Sequence, residues 1–222
     1  MRIIPALICI TIHELAHGYT AYKLGDRTAK DMGRLTLNPI KHIDPIGLLM
    51  MLLIGFGWAK PVPVNMHNFK HPKWYMAITA FAGPVSNIIL AVIIMFILGL
   101  VTTLLGIHVD QITGRMYYTG ETGLIIYSII SGMIFLSIAL AVFNMLPFPP
   151  LDGSKVVFSL LPENIYYKLM RYERYGMILL LVAMNSELIF GVDIFRGLIV
   201  DTTRSIESFL GIFYDAAYGL VN

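Results

Sequence analysis

Long apolar runs alternate with polar connections along this chain: Ile3 to Leu24, Trp74 to Leu105, Gly123 to Leu146 and Tyr175 to Phe190. Each is near or above the ~20 residues a helix needs to cross a bilayer. The pattern therefore predicts an all-α polytopic membrane protein with at least four transmembrane helices. Ile46 to Phe56 is apolar but short, and Gly47, Gly55 and Gly57 bracket it, which reads as a re-entrant or interfacial segment. In the following Pro61-Val62-Pro63-Val64 the prolines exclude helix and the valines favour extended chain, so a small β loop is expected there. From Asp193 to Tyr218, Phe195, Leu198, Ile199, Phe209 and Ile212 alternate with Arg196, Asp201, Arg204 and Glu207, a pattern expected of a helix lying at the membrane interface. No repeat or long linker divides the chain. A single domain over 1–222 is predicted, with a core of about residues 3–160 and a C-terminal span and interfacial helix over 161–222.

Composition agrees: 57% of the residues are hydrophobic and 14% charged. The net charge of +2 is too small and too scattered for nucleic-acid binding. Cys9 is the one cysteine, which excludes an internal disulfide. The basic residues are distributed unevenly between the loops. Lys23, Arg27, Lys30, Arg34, Lys41, Lys60, Lys70 and Lys73 lie between the first two runs and Lys155, Lys168, Arg171 and Arg174 between the last two, whereas Arg115 is alone between the second and third. The positive-inside rule then puts the N-terminus outside and the ends of the first and third spans on the cytoplasmic side. Arg2 before an apolar stretch has the look of a secretory signal, but such a signal would not carry Glu14 and two histidines, so the first run is expected to be retained. It begins almost at Met1, which is consistent with a natural chain that starts further upstream.

The polar residues inside that first run carry the chemistry. His13-Glu14-Leu15-Ala16-His17 puts two imidazoles four residues apart, on one face of a helix, where both can reach one tetrahedral zinc ion. Glu14 sits beside them as a candidate general base. A charged residue at the centre of a span costs about 2.5–3.5 kcal/mol, so Glu14 requires a metal or a buried polar cluster around it.

A catalytic zinc takes a third protein ligand and keeps one position open for water. Asp152 is the strongest candidate, because the prolines of Leu146-Pro147-Phe148-Pro149-Pro150-Leu151-Asp152-Gly153 stop the third span and let the chain turn back toward the interior. The same aspartate could instead cap a short helix starting near Gly153 and Ser154. His42 and Asp44 are rival ligands, although Asp44-Pro45 also reads as the start of a turn.

These motifs resemble those of the site-2 proteases, intramembrane zinc metalloproteases. The likeness rests on His13-Glu14-x-x-His17 in one span and Asn144-x-x-Pro147 with Leu151-Asp152-Gly153 at the end of a later one. Ala82-Gly83-Pro84-Val85-Ser86-Asn87 and Gly55-Phe56-Gly57 also look like family features, so the resemblance covers most of residues 3–160. It is nearest to compact prokaryotic-type members, since no peptide-binding or nucleotide-sensing module is present. The resemblance implies one zinc ion held by His13, His17 and Asp152, with Glu14 activating water. It further implies that Asn144 orients the substrate or helps stabilise the oxyanion, that Asn87, Gly55 and Gly57 contact substrate, and that Pro147 and Gly153 shape the turn. An asparagine inside a span also commonly bonds a neighbouring helix.

The expected function is a zinc metalloendopeptidase of a prokaryotic cell membrane. It would hydrolyse peptide bonds in or near the transmembrane helices of other proteins, with the bilayer and a membrane-spanning protein as its partners. The alternative is a non-enzymatic protein that binds or transports a divalent metal. A transporter needs polar ligands along a path through several spans, whereas these gather around one point with a base beside it.

Overall fold

The computed structural model describes residues 3–54, 57–109, 116–118, 120–187, 191, 193 and 195–221. They form helices α1 (Ile3–Lys23), α2 (Thr28–Asp31), α3 (Pro45–Ile54), α4 (Pro72–Val101), α5 (Glu121–Asn144), α6 (Asp152–Phe158), α7 (Glu163–Met184) and α8 (Arg196–Tyr218). A short antiparallel pair, β1 (Ile107–Val109) and β2 (Met116–Tyr118), joins α4 to α5.

Helix boundaries depart from the apolar runs where local chemistry intervenes. α5 stops at Asn144 rather than Leu146 because Pro147 disfavours helical geometry in the residue before it. α4 stops at Val101 rather than Leu105; Thr102 Oγ1 donates to Leu98 O at 2.5 Å, and Gly106 takes a φ of +69° that turns the chain into β1. α7 begins at Glu163, twelve residues before the apolar run, so its polar first half and apolar second half are one helix. Among the described residues, two helices, α4 and α5, are long and apolar enough to cross a membrane by length and composition. At 1.5 Å per residue α4 is about 45 Å long, more than the ~30 Å of a hydrocarbon core.

α4 is the central element and packs on α1, α5, α6 and α8. Its buried residues Met76, Thr79, Ala80, Gly83, Pro84, Asn87, Ala91, Ile94, Met95 and Leu98 follow the helical period along one stripe. The first part of the stripe faces α1, whose buried Cys9, His13, His17 and Ala21 recur every four residues. The second part meets Ile134 and Ile138 of α5 and Leu210 of α8 in an apolar core. Ile78, Phe81, Ile89, Ile93 and Ile97 on the outside of α4 and Ile178 and Leu179 on α7 are exposed, as side chains facing lipid would be.

The tail forms one helix, α8. α8 lies along the C-terminal half of α4, so close that a Cβ on Gly99 would come within 2.5 Å of Tyr214 O. Leu210 and Ala217 are buried there, whereas Leu198, Phe209 and Ile212 of the expected apolar face stay exposed.

Ile46 to Phe56 is largely the helix α3, with Gly55 and Phe56 outside the described residues. Asp44 caps it, its Oδ1 accepting from Ile46 N and Gly47 N at 2.9 Å each. The chain then returns over the start of α3: Ala59 bridges to Ile43, Lys60 N donates to His42 O at 3.0 Å, and a Cβ on Gly47 would lie 2.1 Å from Trp58 O. Where the β loop was expected there is one antiparallel bridge, followed by a stretch without regular secondary structure through Asn65. Asp26, in the turn after α1, anchors that stretch by accepting from Asn65 N and Asn68 Nδ2, both at 2.7 Å. Burial pushes the Asp26 carboxyl up, but hydrogen bonds from Thr28, Asn68 and Asn65 outweigh it and hold the group below the usual carboxylate range.

Candidate metal centre

Three buried side chains from α1 and α6 converge. His13 Nε2 and His17 Nε2 each lie 3.1 Å from the same Asp152 oxygen, Oδ2, and the imidazole rings meet edge to face at 4.6 Å between centroids. The helical spacing of the histidines sets the first two positions. The third is set by the turn after α5, which places Asp152 first in α6. A Cβ on Gly153 would sit 2.2 Å from Met145 O, so glycine lets the start of α6 press against the end of α5. Asp152 therefore does not serve as the cap of a helix starting at Gly153; its carboxylate faces the imidazoles.

The hydrogen bonds behind the histidines suit metal binding. His17 Nδ1 donates to Thr79 O at 2.7 Å, which leaves the lone pair on Nε2. Pro84 in α4 has no N–H for the carbonyl four residues earlier, Ala80 O, and the ladder is loosened beside the Thr79 carbonyl that His17 uses. Asn87 is fully buried with its amide 3.4 Å from His13 Nδ1, and its Oδ1 has no hydrogen-bond partner. The two ends of an amide are nearly the same shape, so a half-turn brings Oδ1 to His13 Nδ1–H and satisfies both groups. Ser137 Oγ of α5 donates to Asn87 O at 2.8 Å and ties this part of α4 to α5. Asn87, expected to contact substrate, is directed at His13 and lines neither of the cavities described below.

Two imidazoles and a carboxylate are a catalytic zinc donor set. The ligand atoms all lie within 4.8 Å of one another. The 3.1 Å separations between each Nε2 and Oδ2 are close to the ~3.3 Å edge of a tetrahedron built with ~2.0–2.1 Å zinc bonds. The residues fit zinc. Among the described residues this is the one such group of three or more histidine, cysteine or acidic side chains. The rival residues have other work: Asp44 caps α3, and His42, also buried, donates from Nε2 to Thr36 O at 2.9 Å.

Two cavities meet at the centre and share His13, Glu14, Asn144 and Pro150. One, of about 230 Å³, is mainly apolar and runs past Leu7, Gly57, Trp58, Phe143 and Met177. The other, of about 320 Å³, is more polar and is bounded by Pro61, Val62, Asp152, Lys155 and Glu173. Glu14 Oε2 accepts from Val62 N at 2.7 Å, so the segment after α3 holds the carboxylate beside the imidazoles. Asn144 Nδ2 donates one hydrogen to Leu140 O at 2.9 Å, leaving its second N–H and Oδ1. Gly57 lines the apolar cavity, whereas Gly55 lies outside the described residues.

Sequence reasoning did not single out Thr79, Ser137, Lys155 or Glu173. A polar residue inside an apolar run was the available signal for the first two, and the i+3 spacing from Asp152 for Lys155.

Gly83 is the closest neighbour of the centre on α4: a Cβ there would lie 2.4 Å from His17 Cε1 and Nε2 and 2.7 Å from His13 Cε1. Gly83→Ala is therefore expected to weaken zinc binding by at least about 10-fold, the scale of a lost outer-shell support. It should also destabilise the fold by about 1–3 kcal/mol through overpacking. Chelator competition and thermal unfolding read the two effects separately.

Comparison with known proteins places similarity across the same residues. The model of Peptidase family M50 matches residues 1–184. YwhC of Bacillus subtilis, a protein named as a zinc metalloprotease, is 46% identical over 186 residues, 84% of this chain and 80% of that one. Rip2 of Mycolicibacterium smegmatis, named likewise, is 30% identical over 152 residues, covering 66% of this chain and 52% of its own length. Rip2 of Mycobacterium tuberculosis is 26% identical over 180 residues, 79% of this chain and 63% of that protein. The chain thus spans less than two thirds of either Rip2 protein. No solved structure matches it.

Proposed function

Given that the chain belongs to Peptidase family M50 and is accordingly a zinc metalloprotease, we propose that it hydrolyses peptide bonds in or beside transmembrane helices of other membrane proteins. The observation that carries this reading is the convergence of His13 Nε2, His17 Nε2 and Asp152 Oδ2 where an apolar and a polar cavity meet. α1 and α7 join α4 and α5 as spans. The N-terminus of α1 is outside, and the basic loops between α1 and α4 and between α5 and α7 are cytoplasmic. α3 and the returning segment dip into the membrane as a re-entrant element.

When bound, zinc lowers the pKa of water toward ~7 and polarises a carbonyl. The protein's own residues do the rest. His13, His17 and Asp152 hold the ion, with Thr79 O and Asn87 fixing the imidazoles. Glu14, one residue from His13 and steadied by Val62 N–H, takes the proton from the attacking water and delivers it to the leaving amine. Asn144, on the wall common to both cavities, orients the substrate backbone near the scissile carbonyl. The apolar cavity receives the substrate helix, and the polar one supplies water to a centre otherwise surrounded by apolar side chains.

A transmembrane helix pairs all its backbone groups internally, so it must unwind before a carbonyl becomes accessible. The segment from Gly57 to Asn65 walls both cavities and is the surface along which an unwound stretch would lie. Its donors are few, since Pro61 and Pro63 have no N–H and Val62 N–H is used by Glu14. Easily unwound sequences should therefore be cut best. Substrates with Gly, Pro or Asn near the scissile bond are expected to be cleaved at least about 2-fold faster than versions carrying Leu there, and most with Pro, following helix-propensity differences of ~0.5–1 kcal/mol for Asn and Gly and ~3 kcal/mol for Pro. The assay incubates purified protein in detergent with single-span substrates, with and without a chelator. Equal rates for both substrate versions, or cleavage that survives complete zinc removal, would refute the reading.

A further inference from the structure

We infer that Lys155, held by Glu173, is a positioning residue that turns Asp152 so that one carboxylate oxygen alone serves the metal. This rests on the reading of His13, His17 and Asp152 as the zinc ligands. The two oxygens of Asp152 have different surroundings. Oδ2 faces both imidazoles at 3.1 Å, while Oδ1 faces Lys155 Nζ at 3.7 Å. Lys155 Nζ is also 3.2 Å from Glu173 Oε1 on α7, and both side chains are largely withdrawn from solvent. Lys155 and Glu173 line the polar cavity together with His13, Glu14, His17 and Asp152.

Physical chemistry gives this chain of charges a purpose. A carboxylate can donate one oxygen or two to a metal, and a second oxygen would fill the position a catalytic zinc keeps open for water. An ammonium beside Oδ1 competes for that oxygen and leaves Oδ2 for the ion. Lysine is a mobile point charge on a flexible stem, so it needs a second anchor to stay there, and Glu173 provides it. Charge balance points the same way. With a divalent ion bound, Lys155 and the metal together neutralise Glu14, Asp152 and Glu173, whereas without Lys155 the buried cluster keeps an excess carboxylate. Glu173 belongs to a different helix from the ligands, so the orientation of Asp152 also depends on the placement of α7.

The test uses the full-length protein in detergent with cobalt(II) in place of zinc, because four-coordinate cobalt absorbs visible light much more strongly than five- or six-coordinate cobalt. Lys155→Met is expected to lower the visible absorption of the cobalt protein at least about twofold and to weaken zinc binding, measured by chelator competition, by about 10-fold. Lys155→Arg should restore most of both. Glu173→Gln, which keeps the lysine but removes its anchor, should shift both readouts in the same direction by less, and it carries the test if Lys155→Met does not fold. Wild-type absorption and affinity in Lys155→Met, or in Glu173→Gln where that variant alone folds, would overturn the role of Lys155. Asp152→Ala separates this from failure of the underlying reading: if its metal binding equals wild type, Asp152 is not a ligand and both ideas fall. If Asp152→Ala loses the metal while Lys155→Met is unaltered, only the positioning role falls.

Discussion

Glu14→Gln is expected to cut proteolysis by about 10²–10⁴-fold, the range of a general acid–base contribution, while bound zinc stays at the wild-type level. The geometry separates these effects. The three converging ligand atoms belong to His13, His17 and Asp152, and the Glu14 carboxylate is instead held by Val62 N–H at 2.7 Å. Glutamine keeps the shape and an acceptor oxygen for that backbone donor but cannot take a proton from water. Metal analysis alongside a cleavage assay provides the check. Loss of zinc in Glu14→Gln would make Glu14 a ligand, and full activity would move the base elsewhere.

Asp152→Ala is expected to weaken zinc binding by more than about 100-fold, beyond the 10–100-fold typical of an outer-shell partner, and to abolish cleavage with it. His42→Ala and Asp44→Ala should retain zinc near stoichiometry. His42 ties its loop through Thr36 O and Asp44 caps α3, so their loss is a matter of local stability rather than of the metal. Losing a cap typically costs about 1 kcal/mol. Zinc titration of the three variants under one protocol decides the third ligand; the reverse ranking would relocate the centre to the loop.

Much of this protein follows from local rules. A backbone with 3.6 residues per turn puts His13 and His17 on one face wherever the helix lies, so the pair and the adjacent Glu14 were legible without a fold. Apolar runs of spanning length marked α1, α4 and α5 to within a few residues, because burying backbone in an apolar medium demands helix. Pro147 marked the end of α5 by restricting the residue before it.

Tertiary packing decided what those rules leave open. Asp152 lies 139 residues from His13, and no periodicity distinguishes a carboxylate that caps α6 from one that meets two imidazoles. His42 and Asp44 stayed open as rivals to Asp152 until the loop around α3 closed and gave each another partner. Asn87 was readable as a polar residue in a span, but only the packing of α4 on α1 brings it to His13. The amphipathic tail likewise could not reveal that Leu210 would be buried in the apolar core with α4 and α5. The sequence by itself determined which side chains share a face and where helices stop, because backbone geometry and covalent restriction act over a few residues. Which faces meet, and hence which polar groups become ligands, supports or caps, was decided only in the tertiary structure, because burial and hydrogen-bond satisfaction depend on segments far apart in the chain.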